Sequence, residues 1–194
     1  MMTNNNEFRQ DIYKLANKST ILSFKDLTDS TWDNSSYNNV QILITRFGND
    51  NKAYMQIPAF VDAEELRALF RSILNGNFTK IEFNSGKGSY VSYGGSKNGG
   101  LAKENGQIAI EDGMESRICR ITFNKGSFYI KNEVYKARSA DNGAIKPVGD
   151  SLLESYFKLS QQQMLTTASA VVSYLNAKQV ISTSNYIKKL QKQK

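Results

Sequence analysis

The chain has 194 residues, 40 % of them hydrophobic and 22 % charged, and a formal net charge of +7. This length predicts one domain, or two at most, with a core large enough to need no disulfide or metal. It has no histidine and a single cysteine, which excludes His-based acid–base catalysis, His- or Cys-rich zinc sites and disulfides within the chain. No apolar run approaches the roughly 20 residues of a membrane helix, and the Asn-rich start is not typical of a signal peptide. We therefore expect a cytoplasmic protein that is not an enzyme.

The positive charge is concentrated towards the C-terminal end. No acidic residue follows Glu154, whereas six lysines do: Lys158, Lys178, Lys188, Lys189, Lys192 and Lys194. A basic tail of this kind attracts nucleic acid or an acidic protein partner. The alternative is a frayed terminus that only adds solubility.

Residues 1–39 are predicted to hold an N-terminal helix and a polar loop. The first six residues are polar and are expected to be disordered. Apolar side chains then recur at helical spacing within residues 7–17, at Phe8, Ile12 and Leu15. Residues 28–39 are rich in Asp, Ser, Thr and Asn, which predicts a loop.

Residues 40–149 are predicted to form a sheet-rich core. Alternating apolar residues predict strands over residues 40–45 and 53–57, joined by a turn. Pro58 cannot donate a hydrogen bond to a neighbouring strand, so it marks the end of the second strand or an edge position.

One amphipathic helix is predicted over residues 62–75. Asp62 and Glu65 have the spacing of a capping box, and Gly76 lies where a left-handed C-cap belongs. The apolar face of this helix, predicted to pack in the core, comprises Leu66, Leu69, Phe70 and Ile73.

After this helix the pattern is that of strands. Five are predicted, over residues 78–83, 89–93, 107–111, 117–123 and 128–136. The glycine-rich residues 94–100 predict a flexible loop, and Asn124-Lys125-Gly126 predicts a hairpin. Residues 139–149 are predicted to be a loop.

Residues 150–194 are predicted to form C-terminal helices and a basic tail. Asp150 and Ser151 are candidate caps for a helical region that carries Leu152, Tyr156, Leu159, Met164, Ala168, Val171, Val172 and Leu175. The run of three glutamines at 161–163 divides this region into two helices, and the chain frays from Lys188.

The sequence offers few parts for catalysis or metal binding. Glu111, Asp112 and Glu115 flank a turn, but without the spacing of a calcium loop. Cys119 lies in a predicted strand, where a lone cysteine is typically a small buried apolar residue. No metal or other cofactor is therefore expected.

Aromatic and basic residues are interleaved on the predicted strands. Over residues 128–136, the alternation directs Phe128, Ile130 and Val134 to one face and Tyr129, Lys131, Glu133 and Tyr135 to the other. Tyrosines flanking a lysine suit a surface on which bases stack while the ammonium group meets a phosphate. Tyrosines that merely form good strands are the alternative.

Further residues extend the set of candidate contacts with nucleic acid. Tyr90 and Tyr93 fall on opposite faces of a second strand, and the remaining candidates are cations: Lys87, Lys97, Arg117, Arg120, Lys125, Lys136, Arg138, Lys188 and Lys189.

Antiparallel strands bearing Tyr, Phe, Lys and Arg, the loop at 94–100 and the helix at 62–75 together resemble the small single-stranded DNA-binding proteins of phages and mobile elements. The resemblance covers residues 40–138. It implies an OB-like fold or the helix-backed sheet of the PC4 and Whirly type. Many bacterial members end in an acidic tail that recruits partners, whereas this chain ends in lysines.

The expected fold is therefore a single α+β domain with a mainly antiparallel sheet, one inserted helix and a C-terminal helical region. The expected function is non-enzymatic binding of single-stranded DNA or RNA with little sequence preference, by a homo-oligomer. The alternatives are a virion or assembly component and a small protein that binds a host protein.

Overall fold

The computed structural model describes residues 10–32, 35–97, 99, 102–109 and 113–191, with the side chains of 29–37 and 185–191 left out. The first part of the chain forms four strands and a helix: β1 (Asp11–Ala16), β2 (Thr20–Trp32), β3 (Ser35–Phe47), β4 (Ala53–Asp62) and α1 (Ala63–Leu74). The second part forms β5 (Glu82–Phe83), β6 (Gly86–Lys87), β7 (Ser89–Ser96), β8 (Lys103–Glu104), β9 (Gln107–Ile108), β10 (Glu115–Asn124), β11 (Ser127–Ser139), β12 (Ile145–Ser160) and α2 (Gln161–Gln191).

The strands form two main antiparallel sheets. The first has the strand order β1-β2-β3-β4-β8-β9, and the second has the order β12-β11-β10-β7. One hydrophobic core contains side chains from both sheets and both helices, including Phe24, Ile42, Phe70, Ile130, Phe157 and Val171. The expected α+β class with a mainly antiparallel sheet is confirmed.

Asn132 joins the two sheets at the centre of the core. It lies on β11, is fully buried, and its side-chain amide donates hydrogen bonds of 2.8 Å to the carbonyl oxygens of Ile42 and Ile57. Because a buried amide is costly without partners, these bonds favour one relative position of the sheets.

The predicted helix at 62–75 is confirmed as α1. The Asp62 carboxylate accepts hydrogen bonds from the backbone N–H groups of Glu64 and Glu65, which caps the helix as expected. Its predicted apolar face is buried.

The predicted N-terminal helix is wrong. Residues 11–16 form β1, which pairs with β2 and places Leu15 opposite Leu22. An isolated helix of about 11 residues is marginal, whereas strand β1 forms backbone hydrogen bonds with β2 along one side. The polar start at 1–6 lies outside the described residues.

The predicted polar loop at 28–39 is also wrong. Strands β2 and β3 continue through this segment as a long hairpin, with Trp32 paired to Ser35. Backbone pairing with a partner strand overrides the weak intrinsic preference of polar residues for loops.

Pro58 lies at a sheet edge, and β4 does not end there. It is opposite Leu43 of β3, and β4 continues to Asp62. Within the described residues, β8 pairs with the other side of β4 only at Met55 and Gln56. A residue without an N–H group is tolerated here because, on the side of β4 away from β3, the described residues provide no partner strand at this position.

Two of the predicted strands are much shorter in the structure, with two residues each. Of residues 78–83, only Glu82–Phe83 are extended, and of 107–111 only Gln107–Ile108 are, with 110–111 outside the described residues. The strands predicted at 89–93, 117–123 and 128–136 are confirmed within β7, β10 and β11. The hairpin after Asn124 is confirmed too, with positive φ at Lys125 and Gly126.

The largest correction lies at 145–160. The loop predicted over 139–149 ends at Ala144, and β12 replaces the first predicted C-terminal helix. On β12, Leu153, Ser155, Phe157 and Leu159 are buried, while the residues between them are exposed. The spacing of Leu152, Tyr156 and Leu159 is typical of a helix, but the structure follows the alternation that is typical of a strand.

The glutamine run begins a helix and does not divide one. Ser160 Oγ accepts a hydrogen bond from the backbone N–H of Gln163, and the Gln163 side chain accepts one from the backbone N–H of Ser160. This reciprocal pair is a capping box. The single helix α2 runs to Gln191, beyond the expected fraying point at Lys188.

Candidate nucleic-acid interface

The second sheet presents one face to solvent, which we call the outer face. Strand register places the members of this face side by side across β10, β11 and β12: Thr122 beside Tyr129 and Lys158, and Arg120 beside Lys131 and Tyr156. The alternation predicted for β11 is confirmed, because Phe128, Ile130 and Val134 are buried on the inner face.

Two tyrosines and a lysine form an aromatic cluster on the outer face. The rings of Tyr129 and Tyr156 have centroids 6.4 Å apart and are tilted by 51°. Lys158 Nζ lies 5.8 Å from the centroid of the Tyr129 ring, within cation–π range. Tyr156 is 61 % exposed, so its ring is accessible to a flat ligand.

Beside this cluster, the Glu133 carboxylate accepts hydrogen bonds from three side chains. Its carboxylate accepts from Arg120 Nε at 2.6 Å, from Lys131 Nζ at 3.0 Å and from the Tyr135 hydroxyl at 3.2 Å. Lys131 also pairs with Glu154 at 2.7 Å. Arg120 and Lys131 are therefore positioned by carboxylates on the outer face.

These contacts shift the pKa values of Glu133 and Lys131. Burial alone would raise the pKa of Glu133, but the bonds from Arg120 and Lys131 lower it below its usual value. Burial would likewise lower the pKa of Lys131, but Glu154 and Glu133 raise it. All these groups are charged at neutral pH.

Tyr93 also lies on the outer face, on β7. It is 63 % exposed and stands opposite Ile118 of β10. This strand is farther from the aromatic cluster, so Tyr93 is a peripheral candidate.

Two predicted contact residues are not accessible. Tyr90 is buried in the core against the ring of Phe83, and Arg117 is buried on the inner face. The guanidinium of Arg117 lies 4.6 Å from the centroid of the Phe60 ring, and its Nε is 3.1 Å from a carboxylate oxygen of Glu115. A ligand on the surface reaches neither side chain.

The remaining predicted cations are dispersed. Three of them are exposed to solvent but do not lie on the outer face. Lys87 is in β6, Lys97 follows β7, and Lys125 is in the turn between β10 and β11. Lys136 and Arg138 lie near the C-terminal end of β11, at positions that share the alternation of the inner-face residues Ile130 and Val134. Arg138 is opposite Lys146 of β12. The side chains of Lys188 and Lys189 lie outside the described residues.

Sequence reasoning missed two residues of the aromatic cluster, Tyr156 and Lys158. The sequence predicts a helix for both, and only the strand that residues 152–159 form in the structure brings them beside Tyr129. The signal that could have found them is the alternation at Leu153, Phe157 and Leu159.

The described residues hold no group of three or more potential metal ligands of the His, Cys, Asp or Glu type. Cys119 is fully buried, and burial raises the pKa of its thiol to about 12, so it is protonated at neutral pH. No helix in the described part of the chain is long and apolar enough to cross a membrane.

Comparison with known proteins gives a match in structure alone. No protein-family model matches the chain, and no curated protein matches it in sequence. The crystal structure of the Whirly protein WHY1 from Arabidopsis thaliana is similar, with a TM-score of 0.51 and 8 % identity over 94 % of each chain. The fold is therefore of the PC4/Whirly type, which decides between the two folds expected from the sequence.

Proposed function

We propose that this protein binds single-stranded nucleic acid on the outer face, with bases stacked on Tyr156 and Tyr129. The observation that carries the proposal is the pair of neighbouring tyrosine rings with Lys158 beside them on a solvent-facing sheet. The fold supports the proposal, because the sequence resembles small single-stranded DNA-binding proteins, and the PC4/Whirly type is one of the two folds that this resemblance implies.

The chemistry of the aromatic cluster suits stacking better than base-specific contacts. A tyrosine ring stacks on any base, so binding has little sequence preference. Lys158 lies beside the Tyr129 ring and forms no ion pair among the described residues, so it is the leading candidate for a phosphate contact.

The carboxylates of the outer face moderate the affinity. Three cations, Arg120, Lys131 and Lys158, share the face with Glu133 and Glu154. A phosphate that approaches Lys131 competes with two carboxylates that already hold it. We therefore expect modest affinity and a shallow salt dependence, because few cations are free to release counterions from the phosphates.

Titration of fluorescently labelled oligo-dT at two salt concentrations tests the proposal. Because stacking is worth about 1–3 kcal/mol per base, Tyr156→Ala should weaken binding by about 5- to 150-fold. Tyr129→Ala should have an effect in the same range, with some loss of stability because Tyr129 is half-buried.

The matched control is Tyr54→Ala. Tyr54 lies on β4 of the first sheet, with the guanidinium of Arg46 5.6 Å from its ring centroid, so it reproduces the pairing of a tyrosine with a cation away from the outer face. We expect Tyr54→Ala to retain wild-type affinity. Absence of oligo-dT binding by the wild-type protein at low salt contradicts the proposal, as does an equal loss in the Tyr54 variant.

A second candidate function, assembly with a protein partner, is favoured by α2. Val180 and Ile181 are 69 % and 60 % exposed on this helix, and large apolar side chains exposed together are typical of a contact surface. The origin in a phage or mobile element, the cytoplasmic location, the lack of enzymatic activity and a role for the basic tail in binding stay predictions.

A further inference from the structure

The two edge strands of the second sheet, β7 and β12, differ in whether their free backbone groups have a partner. At the β7 edge, the side-chain amide of Asn84 accepts from Val91 N at 3.0 Å and donates to Val91 O at 2.5 Å. It takes the place of a neighbouring strand and blocks further pairing. At the other edge, β12 pairs only with β11 within the described residues.

The β12 edge is long and regular over residues 153–160. Its inner-face side chains are buried in the core, whereas Glu154, Tyr156 and Lys158 are exposed on the outer face. An unblocked strand of this length is a template for pairing with another strand. We propose that the β12 edge pairs antiparallel with β12 of a second copy of this chain, which joins the two second sheets into one.

Over the regular residues 153–160, charge favours one register for this pairing. Centred on Tyr156, the register places Glu154 opposite Lys158 of the second copy, and the twofold axis repeats this pair. Centring on Lys158 would place two lysines opposite each other, and centring on Ser155 or Phe157 would form no ion pair between the copies. Centring on Glu154 would place two glutamates opposite each other at the axis, and the Asp150 that it brings opposite Lys158 lies in the irregular segment 149–152, where β12 loses its register with β11. The Tyr156-centred register also keeps Leu153 and Leu159 of the two copies together on the inner face.

The proposed dimer extends the aromatic surface. Tyr156 of each copy would be adjacent across the axis, giving a row of four rings with Tyr129 at each end. The edge pairing itself does not depend on nucleic-acid binding and is measured without it.

Charge reversal tests the register on the full chain. Sedimentation equilibrium should show a dimer for the wild type. Glu154→Lys and Lys158→Glu each place two pairs of like charges across the axis, and each should raise the dimer dissociation constant about ten-fold or more. The double variant restores opposite charges and should restore the dimer, while circular dichroism checks that all three variants fold.

A disulfide tests the position of the axis. Directly opposite residues in antiparallel strands have Cα atoms about 4.5–5.5 Å apart, within disulfide range. Under mild oxidation Tyr156→Cys should yield a covalent dimer, because the natural Cys119 is buried. The control is Tyr93→Cys, equally exposed but on the blocked β7 edge, which should remain monomeric on a non-reducing gel.

Several results would overturn the proposal. One is a wild-type protein that stays monomeric up to millimolar concentration. Another is a dimer that is insensitive to both charge reversals but is lost in Ile181→Lys, which would place the contact on α2. Equal cross-linking of the Tyr156 and Tyr93 variants would also contradict the register.

Discussion

Arg117 and Arg120 lie three residues apart on the same strand and have opposite environments. Arg117 is on the inner face, buried with Glu115 beneath the ring of Phe60, while Arg120 is on the outer face and pairs with Glu133 at the edge of solvent. In the sequence both are cations in an aromatic-rich strand. The difference shows that strand parity, more than residue type, decides which charges can meet a ligand.

Burial also changes what each ion pair contributes. On the inner face, burial lowers the pKa of Arg117 below its usual value, although Glu115 opposes this shift. A charge in that position depends on its partner, because water cannot replace it. On the outer face, water is available, so losing one partner costs little stability.

The sharpest test of the two faces uses the neighbours Phe157 and Tyr156. Phe157→Ala removes a buried ring from the core and should lower the free energy of unfolding by about 3–5 kcal/mol. Tyr156→Ala should change it by about 0.5 kcal/mol or less, because its ring is exposed. Urea titrations followed by circular dichroism measure both. Similar losses in the two variants would mean that β12 does not present alternating faces.

The arginines provide the next test. Arg117→Ala removes one member of the buried ion pair with Glu115 and should cost about 3 kcal/mol or more. Arg120→Ala should cost about 1 kcal/mol or less, since Lys131 and Tyr135 still contact Glu133. Thermal unfolding at neutral pH separates the two outcomes. If Arg120→Ala were the more damaging change, the outer face would be structural and a poor candidate for binding.

The part of the fold that could be predicted from the sequence is the part with one dominant periodicity. On α1, the cap at Asp62 and the apolar face agree, and on β11 the alternation places Tyr129 and Lys131 correctly. On β12, Leu152, Tyr156 and Leu159 match a helix while Leu153, Phe157 and Leu159 match a strand. Pairing with β11 decides between them, and that long-range contact has no local signal.

The candidate site was predicted in part for the same reason. The alternation places Tyr129, Lys131 and Tyr135 on one strand face, and the structure has them there. Arg120, which the sequence offers only as a further cation, lies beside Lys131 on the same face. Arg117 and Tyr90 were included because a buried arginine or tyrosine looks like an exposed one in the sequence. Of the carboxylates that pair with these cations, the alternation places Glu133 on the correct face, whereas Glu154 is missed because it belongs to the misassigned strand.

An ion cluster between the first sheet and α2 is less buried than the Arg117–Glu115 pair, and its lysine is less exposed than the cations of the outer-face ion pairs. It therefore tests the role of burial. Asp26 on β2 accepts hydrogen bonds from the Lys178 side chain, the Thr28 backbone and the Tyr174 hydroxyl. Burial alone would raise the pKa of Asp26, but these bonds lower it to about 2. Relative to the usual value of 3.8, this shift corresponds to about 2 kcal/mol at neutral pH.

The sign of the pH dependence follows from this lowered pKa. The contribution of Asp26 is complete above about pH 4 and is lost as the pH falls towards 2. Asp26→Asn should therefore be about 2 kcal/mol less stable at pH 7, and the difference from wild type should shrink in acid. The exposed Asp141 is the matched control, and Asp141→Asn should match the wild type at both ends of the range. A difference that persists at pH 2 would point to a steric effect of the amide instead.

The smallest expected effect distinguishes two lysines on the outer face. Lys158 lies beside the Tyr129 ring without an ion pair among the described residues, whereas Lys131 is held by Glu133 and Glu154. Each phosphate contact to a single strand contributes about 0.7 to the slope of log affinity against log salt. Lys158→Ala should therefore reduce that slope by about 0.7 in oligo-dT titrations.

Lys131→Ala should reduce the slope less, because a phosphate must displace two carboxylates before it gains the ammonium group. Lys52→Ala, a change to an exposed lysine in the turn before β4, is the control and should leave the slope unchanged. Equal reductions for Lys131 and Lys158 would show that Glu133 and Glu154 release Lys131 when the strand binds. In that case Lys131 would exchange its carboxylate partners for phosphate on binding, and its ion pairs in the unbound protein would not reduce its contact with the strand.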